Sequence, residues 1–173
     1  MKLKWILGPR PENMSQHWQA KITELFKQET GETYTETTFR MLGIPEWYGN
    51  KLLIDTAIYP SPDSLFGVMW SKPLLADRIR IVALVIDKQA QNNNYGTDII
   101  SEVINTSKKN GKNHIQLEVR KSNHRAQNFY SRHGLKIEKT IQNYYSNEDG
   151  FVMTVITIIH LTDMTIHGRV CRF

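Results

Sequence analysis

The chain predicts an α/β fold: a mixed, mostly antiparallel sheet with flanking helices. Three stretches carry that reading. Ile79 to Ile104 reads as a buried strand, a polar loop and an amphipathic helix, and Asn113 to Val119 (NHIQLEV) follows as another strand. Two strands joined through a helix are parallel neighbours in a right-handed βαβ unit. Upstream, Lys51 to Tyr59, Ser64 to Lys72 and Arg78 to Ile86 are strand-like runs parted by proline turns, the signature of an antiparallel meander. Downstream, Lys136 to Tyr145 and Phe151 to His160 form a hairpin across Ser146–Gly150.

In chain order, Lys2 to Leu7 is a first strand, ended by Pro9 and Pro11. Asn13 or Ser15 caps a helix whose apolar face is Trp18, Ile22, Leu25 and Phe26, closing near Thr30-Gly31. A weaker helical segment lies between Glu36 and Trp47, with Pro45 as its stop. In the meander, Pro60 and Pro62 stop one strand and Pro73 the next. The helix opened by Gly96 and Thr97 carries Ile99, Ile100, Val103 and Ile104 at helical spacing and stops at Asn110-Gly111. Asn123 to His133 is a further helix, with Ala126, Phe129 and Tyr130 on one face and Gly134 as its stop. The tail from Leu161 to Phe173 has no pattern and is read as a loose C-terminal tail.

The polar loop Asp87 to Asn94, apolar only at Ala90, feeds the N-terminus of a helix. Unpartnered N–H groups and the macrodipole make such a turn an anion site, and Gly96, without a Cβ, lets the backbone come close. An ordinary βα turn holding one glycine is the plain alternative. If the two parallel strands splay, Leu84, Val85 and Ile86 offer free backbone groups to an extended ligand; the pattern itself neither shows the splay nor names the ligand.

Composition narrows the function. The 173 residues are 40% hydrophobic and 23% charged, with a net charge of +5. This suits one globular domain with an anionic ligand. No apolar run reaches the roughly 18 residues of a membrane span, and Trp5 to Leu7 is too short for a signal-peptide core. The one cysteine, Cys171, makes no internal disulfide, so cytoplasm is the expected compartment. Basic residues form small groups, Lys108, Lys109 and Lys112, then Arg120, Lys121, His124 and Arg125, not a stripe, so nucleic acid is not the expected partner. His114, His124 and His133 lack metal-ligand spacing with any cysteine, and no metal is expected.

Three segments resemble a known family. Gln91, Asn92, Asn93, Asn94, Tyr95 and Gly96 lie over a pattern of Gln or Arg, two residues, Gly, one residue, then Gly or Ala. In LEVRKSNHRAQNFYSRHGL, Asn123, Ala126, Phe129, Tyr130, Gly134 and Leu135 fill the places of a second pattern. NYYSNEDGFVM, Asn143 to Met153, is similar to a hairpin of protein N-terminal acetyltransferases, above all those that act on ribosomal-protein alanine. Ile81 to Leu135 thus resembles the acyl-CoA-binding core of the GNAT superfamily of N-acetyltransferases. Asn94 departs from the pattern by replacing its first glycine; asparagine tolerates positive φ, so the loop keeps its shape.

The resemblance implies a GNAT-like fold over residues 1–173 as a single acyltransferase domain, with a central splayed parallel strand pair. It implies acetyl-CoA as cofactor, held by Leu84, Val85, Ile86, Gln91, Asn92, Asn93, Asn94, Tyr95, Gly96, Thr97 and Asn123, the last either binding the cofactor arm or fixing the loop. Direct attack of an amine on the thioester follows, without an acyl-enzyme. Tyr130 matches the general acid and Glu118 the base, with water as a relay; a backbone N–H near Leu84 polarises the carbonyl, and Tyr144 and Tyr145 wall a peptide groove. Read alone, Tyr130 is a core aromatic, Glu118 a solvent-facing strand residue, and Tyr144 and Tyr145 packing residues. The expected acceptor is a protein N-terminal α-amine. A small-molecule or lysine Nε-acetyltransferase and a CoA-binding module without catalysis are the alternatives. The sequence leaves the oligomeric state open.

Overall fold

The computed structural model describes residues 1–157; the expected strand end at His160 and the tail from Leu161 lie outside the described residues. The described chain forms seven strands and four α-helices. These are β1 (Leu3–Leu7), α1 (Gln16–Thr30), α2 (Glu36–Leu42), β2 (Asn50–Asp55), β3 (Leu65–Leu75), β4 (Arg78–Ile86), α3 (Tyr95–Lys109), β5 (His114–Arg120), α4 (His124–Arg132), β6 (Lys136–Tyr145) and β7 (Glu148–Ile156). They make one mixed sheet in the order β1-β2-β3-β4-β5-β7-β6, antiparallel except for β4 and β5.

Several boundaries differ from the sequence reading, each for a local reason. α2 stops at Leu42 because Gly43 takes the left-handed φ of 59° before Pro45 is reached. β2 ends at Asp55, not Tyr59: the Asp55 carboxylate accepts the N–H groups of Lys2 and Ala57, and its carbonyl accepts those of Ile58 and Tyr59, so the chain turns. β3 runs through Pro73 to Leu75. Its pairing with β2 begins at Trp70, so Pro73 faces only β4 and its missing N–H costs no ladder bond. The last hairpin is tighter than expected, with β7 starting at Glu148.

The sheet carries a core on each face. On one, α1 and α2 cover β1 to β4, burying Ile22, Phe26, Phe39, Val68 and Trp70. On the other, α3 and α4 cover the centre, burying Ile79, Ile99, Ile115, Leu117 and Met153. The first core takes nothing from β5, β7 or β6, so polar side chains of those strands stand on an open face beside α1.

Two features of β4 shape the site. Trp70 pairs with Ala83 and Ser71 with Ile81, which leaves Val82 as an extra residue, a β-bulge. The bulge turns Val82 and Ala83 together toward the first core and sends Leu84 toward the second. The parallel pairing of β4 with β5 runs from Arg78–His114 to Ile81–Leu117 and no further. Beyond it the strands splay, as the resemblance implies.

Candidate active site

The splay opens into two adjoining cavities. The larger, about 480 Å³, runs from the end of β4 past the loop ahead of α3 to α4. Of the residues expected to bind cofactor it is lined by Leu84, Val85, Ile86, Gln91, Asn92, Asn94, Tyr95, Gly96, Thr97 and Asn123, with Tyr130 at the inner end. Asn93 is missing from that lining. Its side-chain amide turns back into the loop and donates to the carbonyls of Ala90 and Gln91 at 3.3 and 2.9 Å.

The loop is built to present N–H groups. Asn92 and Asn94 both take left-handed backbone, φ 62° and 65°, so asparagines do the conformational work that glycine would do elsewhere. The first helical bond runs from the Asp98 N–H to the Asn94 carbonyl, and Asn94 makes no side-chain cap. The N–H groups of Tyr95, Gly96 and Thr97 therefore have no partner inside the helix. Gly96 lines the cavity and also meets a packing need: a Cβ there would lie 3.3 Å from the Phe129 ring, so the glycine lets α4 pack close. The loop is braced from both sides. Glu29 of α1 accepts from the Lys88 N–H and the Gln91 side chain, and Arg125 of α4 donates to Gln91 at 2.9 Å.

Asn123 caps α4, its side-chain oxygen accepting the Ala126 N–H at 3.0 Å, and so fixes the loop before that helix. Tyr130, two turns further on, lines both cavities and is only 9% exposed. Burial, with a smaller contribution from Tyr145, pushes its phenol well above the ordinary tyrosine range, so it keeps its proton at any physiological pH.

The smaller cavity, about 270 Å³, opens on the uncovered face. It is lined by Ile81 to Val85 of β4, Leu117 to Arg120 of β5, Glu32 and Tyr34 between α1 and α2, and Tyr145 of the closing hairpin. Glu118 belongs to this lining, with its side chain 8% exposed. Arg80 Nε donates to one carboxylate oxygen at 2.7 Å and Gln116 to the other at 2.8 Å. The second arm of Arg80 donates to the Tyr144 hydroxyl at 2.7 Å. Tyr144 itself lies outside the cavity lining, whereas Tyr145 forms part of it, beneath the Arg120 guanidinium at 4.2 Å. Burial raises both tyrosines, Tyr145 to about 12; the nearby Glu118 adds to the rise at Tyr144 and Arg80 opposes it.

The sequence reading missed Glu29, Arg80, Arg120 and Arg125. Arg80 was visible as the one charge in the apolar run Ile79 to Ile86, a signal strong enough to single it out. The others act through partners about 28 to 62 positions away and leave no local mark.

The residues fit acetyl-CoA on the structure's own terms: free N–H groups suit a pyrophosphate, the unpaired edge of β4 suits an amide-bearing arm, and the channel ends at a protonated phenol. The profile of the acetyltransferase (GNAT) family matches residues 20–135. No curated protein matches the chain. Among solved structures it is similar to Ard1 from Thermoplasma volcanium, with 18% identity, a TM-score of 0.75, and coverage of 91% of this chain and 99% of that one. The ribosomal-protein-S18-alanine N-acetyltransferase from Escherichia coli has 18% identity and a TM-score of 0.72 over 99% and 100% of the two chains. Naa50 from Arabidopsis thaliana, in complex with the bisubstrate analogue CoA-Ac-MVNAL, has 18% identity and a TM-score of 0.66 over 90% and 99%. The family match spans more than half of the chain, which belongs to the GNAT family and is an acetyl-CoA-dependent N-acetyltransferase.

Proposed function

We propose that the acceptor is the α-amine of a protein N-terminus. One observation carries the reading: the smaller cavity leads from Tyr130 to an open face, between the α1–α2 loop and the closing hairpin, where an extended chain can follow its own amine inward. The E. coli and Arabidopsis structures, one named a ribosomal-protein-S18-alanine N-acetyltransferase and the other in complex with the bisubstrate analogue CoA-Ac-MVNAL, support it.

When bound, acetyl-CoA supplies an acetyl thioester. The chain's residues do the rest. The Tyr95, Gly96 and Thr97 N–H groups, with Asn92 and Asn94 shaping the turn, hold the phosphates, and Leu84 to Ile86 offer backbone groups to the arm. Gln91 braces the loop and Asn123 sets the start of α4. Tyr130 Oη carries the proton that the departing thiolate takes. Glu118, paired with Arg80, takes the acceptor's proton through a water molecule, and Tyr145 walls the approach. The β4 edge near Leu84 presents an N–H to the developing oxyanion. We place the enzyme in the cytoplasm, working as one domain.

The test is incubation with acetyl-CoA and a mixed pool of amines: peptides with different first residues, α-blocked lysine peptides and polyamines. Mass spectrometry reads the products. Acetyl on α-amines is expected. Acetyl on lysine or polyamine alone overturns the acceptor assignment while leaving the family intact, and cofactor binding with no acetylated product overturns catalysis.

A further inference from the structure

Arg80 is the one cation inside the apolar run Ile79–Ile86 of β4, at the centre of the sheet, with Arg78 at the strand's start; nothing in the acetyl-transfer chemistry requires a guanidinium there. Its side chain stands on the open face before the Val82 bulge, 29% exposed. Its two arms reach in different directions. Nε donates to Glu118 on the neighbouring β5, while Nη2 donates to Tyr144 on β6, with β7 lying between β5 and β6 in the sheet. Gln116 holds the second Glu118 oxygen, and Arg78 in turn donates to Gln116 at 3.0 Å. The carboxylate is thus gripped on both oxygens, and the hairpin tyrosine is tethered beside it by the same cation.

From this geometry we propose that Arg80 is a positioning residue of the acetyl-transfer reaction: its forked contacts aim the Glu118 carboxylate into the acceptor cavity and hold the Tyr144 end of the hairpin beside it. The inference rests on the reading of Glu118 as the base. Lysine is a poor substitute, since a single ammonium offers no fixed fork with which to hold two partners in set directions. A carboxylate has lone pairs beyond the two that Arg80 and Gln116 engage, so it still accepts from a water in the cavity.

The test compares Arg80→Gln, Arg80→Lys, Tyr144→Phe, Glu118→Gln and the Arg80→Gln/Glu118→Gln pair on the amine that the wild type acetylates best. Arg80→Gln is expected to lower kcat by about 10- to 100-fold, the range of a lost positioning contact, with KM for acetyl-CoA within about twofold. Arg80→Lys recovers part of that loss, Tyr144→Phe costs less than Arg80→Gln, and Arg80→Gln adds nothing once Glu118 is Gln. A second readout is independent of turnover. The Arg80 Nε–H resonance is expected to be protected from exchange in the wild type and to lose protection in Glu118→Gln. A loss in Glu118→Gln alongside wild-type kcat in Arg80→Gln overturns the Arg80 role alone. Wild-type kcat in Glu118→Gln overturns the base reading and the Arg80 role together. Effects of Arg80→Gln and Glu118→Gln that multiply, or an unprotected Arg80 Nε–H in the wild type, also overturn the proposal.

Discussion

Tyr130 owes its chemistry to burial. A phenol exposed to water ionises near pH ~10, whereas this one sits at the junction of two cavities with its proton held far more tightly. Tyr130→Phe removes the proton and leaves the packing. Its expected result is a fall in kcat of about 10²-fold or more, with cofactor affinity unchanged; steady-state kinetics beside calorimetric binding check both halves. Gly96→Ala tests the neighbouring contact. The added methyl meets Phe129 at 3.3 Å, and Phe129 packs edge-on against Tyr130 at 5.2 Å between ring centroids. The expected cost is about 1–2 kcal/mol in urea unfolding, together with a drop in kcat as the Tyr130 ring, the proposed acid, shifts. At this scale the sequence was legible wherever one residue type answers a local need. Asn94 read correctly as a positive-φ residue, because asparagine tolerates that backbone without help from afar. Arg80 could be seen but not interpreted, since its meaning depends on two strands that arrive 38 and 64 positions later.

Among the elements, the α1–α2 loop and the β6–β7 hairpin face each other across the smaller cavity, and Arg120 joins them. Its guanidinium lies 3.8 Å from Glu32, 3.4 Å from Glu148 and over the Tyr145 ring. Each contact is weak and partly exposed, so Arg120→Ala is expected to cost less than about 1 kcal/mol of stability. Its effect belongs to the acceptor side: KM for a peptide rises while KM for acetyl-CoA does not. High salt mimics the variant, as screening weakens the same ion pairs, and peptide kinetics at low and high salt check this. The elements themselves were readable from apolar runs and their stops, best from Arg78 to Leu135, where glycines and polar loops divide the chain cleanly. Reading failed where a stop signal had no structural bite. Pro73 looked like the end of a strand, yet it lies on a stretch with one neighbour, and only the sheet order reveals that. Conversely, β2 ended early at Asp55 because its carboxylate binds backbone N–H groups, one of them from Lys2 at the far end of the sequence.

The whole molecule has an alkaline limit set by its buried phenols. Tyr34, Tyr130 and Tyr145 all have folded-state pKa values raised by burial, Tyr145 to about 12. A raised value means the folded state binds the proton more tightly than the unfolded chain. This contribution is fully present below the ordinary tyrosine range near pH ~10 and is lost as pH rises toward 12. Urea midpoints are expected to hold to that range and then fall, with a shallower fall in Tyr145→Phe. The bulge at Val82 and the brevity of the β4–β5 pairing have a mechanical consequence as well. The sheet is two leaves, β1 to β4 and β5 with β7 and β6, sewn together by residue pairs from Arg78–His114 to Ile81–Leu117. Past that seam the two leaves can part like a book, and among the described residues the spine is the only place where backbone hydrogen bonds cross between them. A ligand lying against β4 acts as the missing stitch. Hydrogen exchange at Val82 to Ile86 and Glu118 to Arg120 should then slow on adding acetyl-CoA, more than exchange within either leaf, and global stability should rise by about 2.7 kcal/mol at a hundredfold excess over Kd.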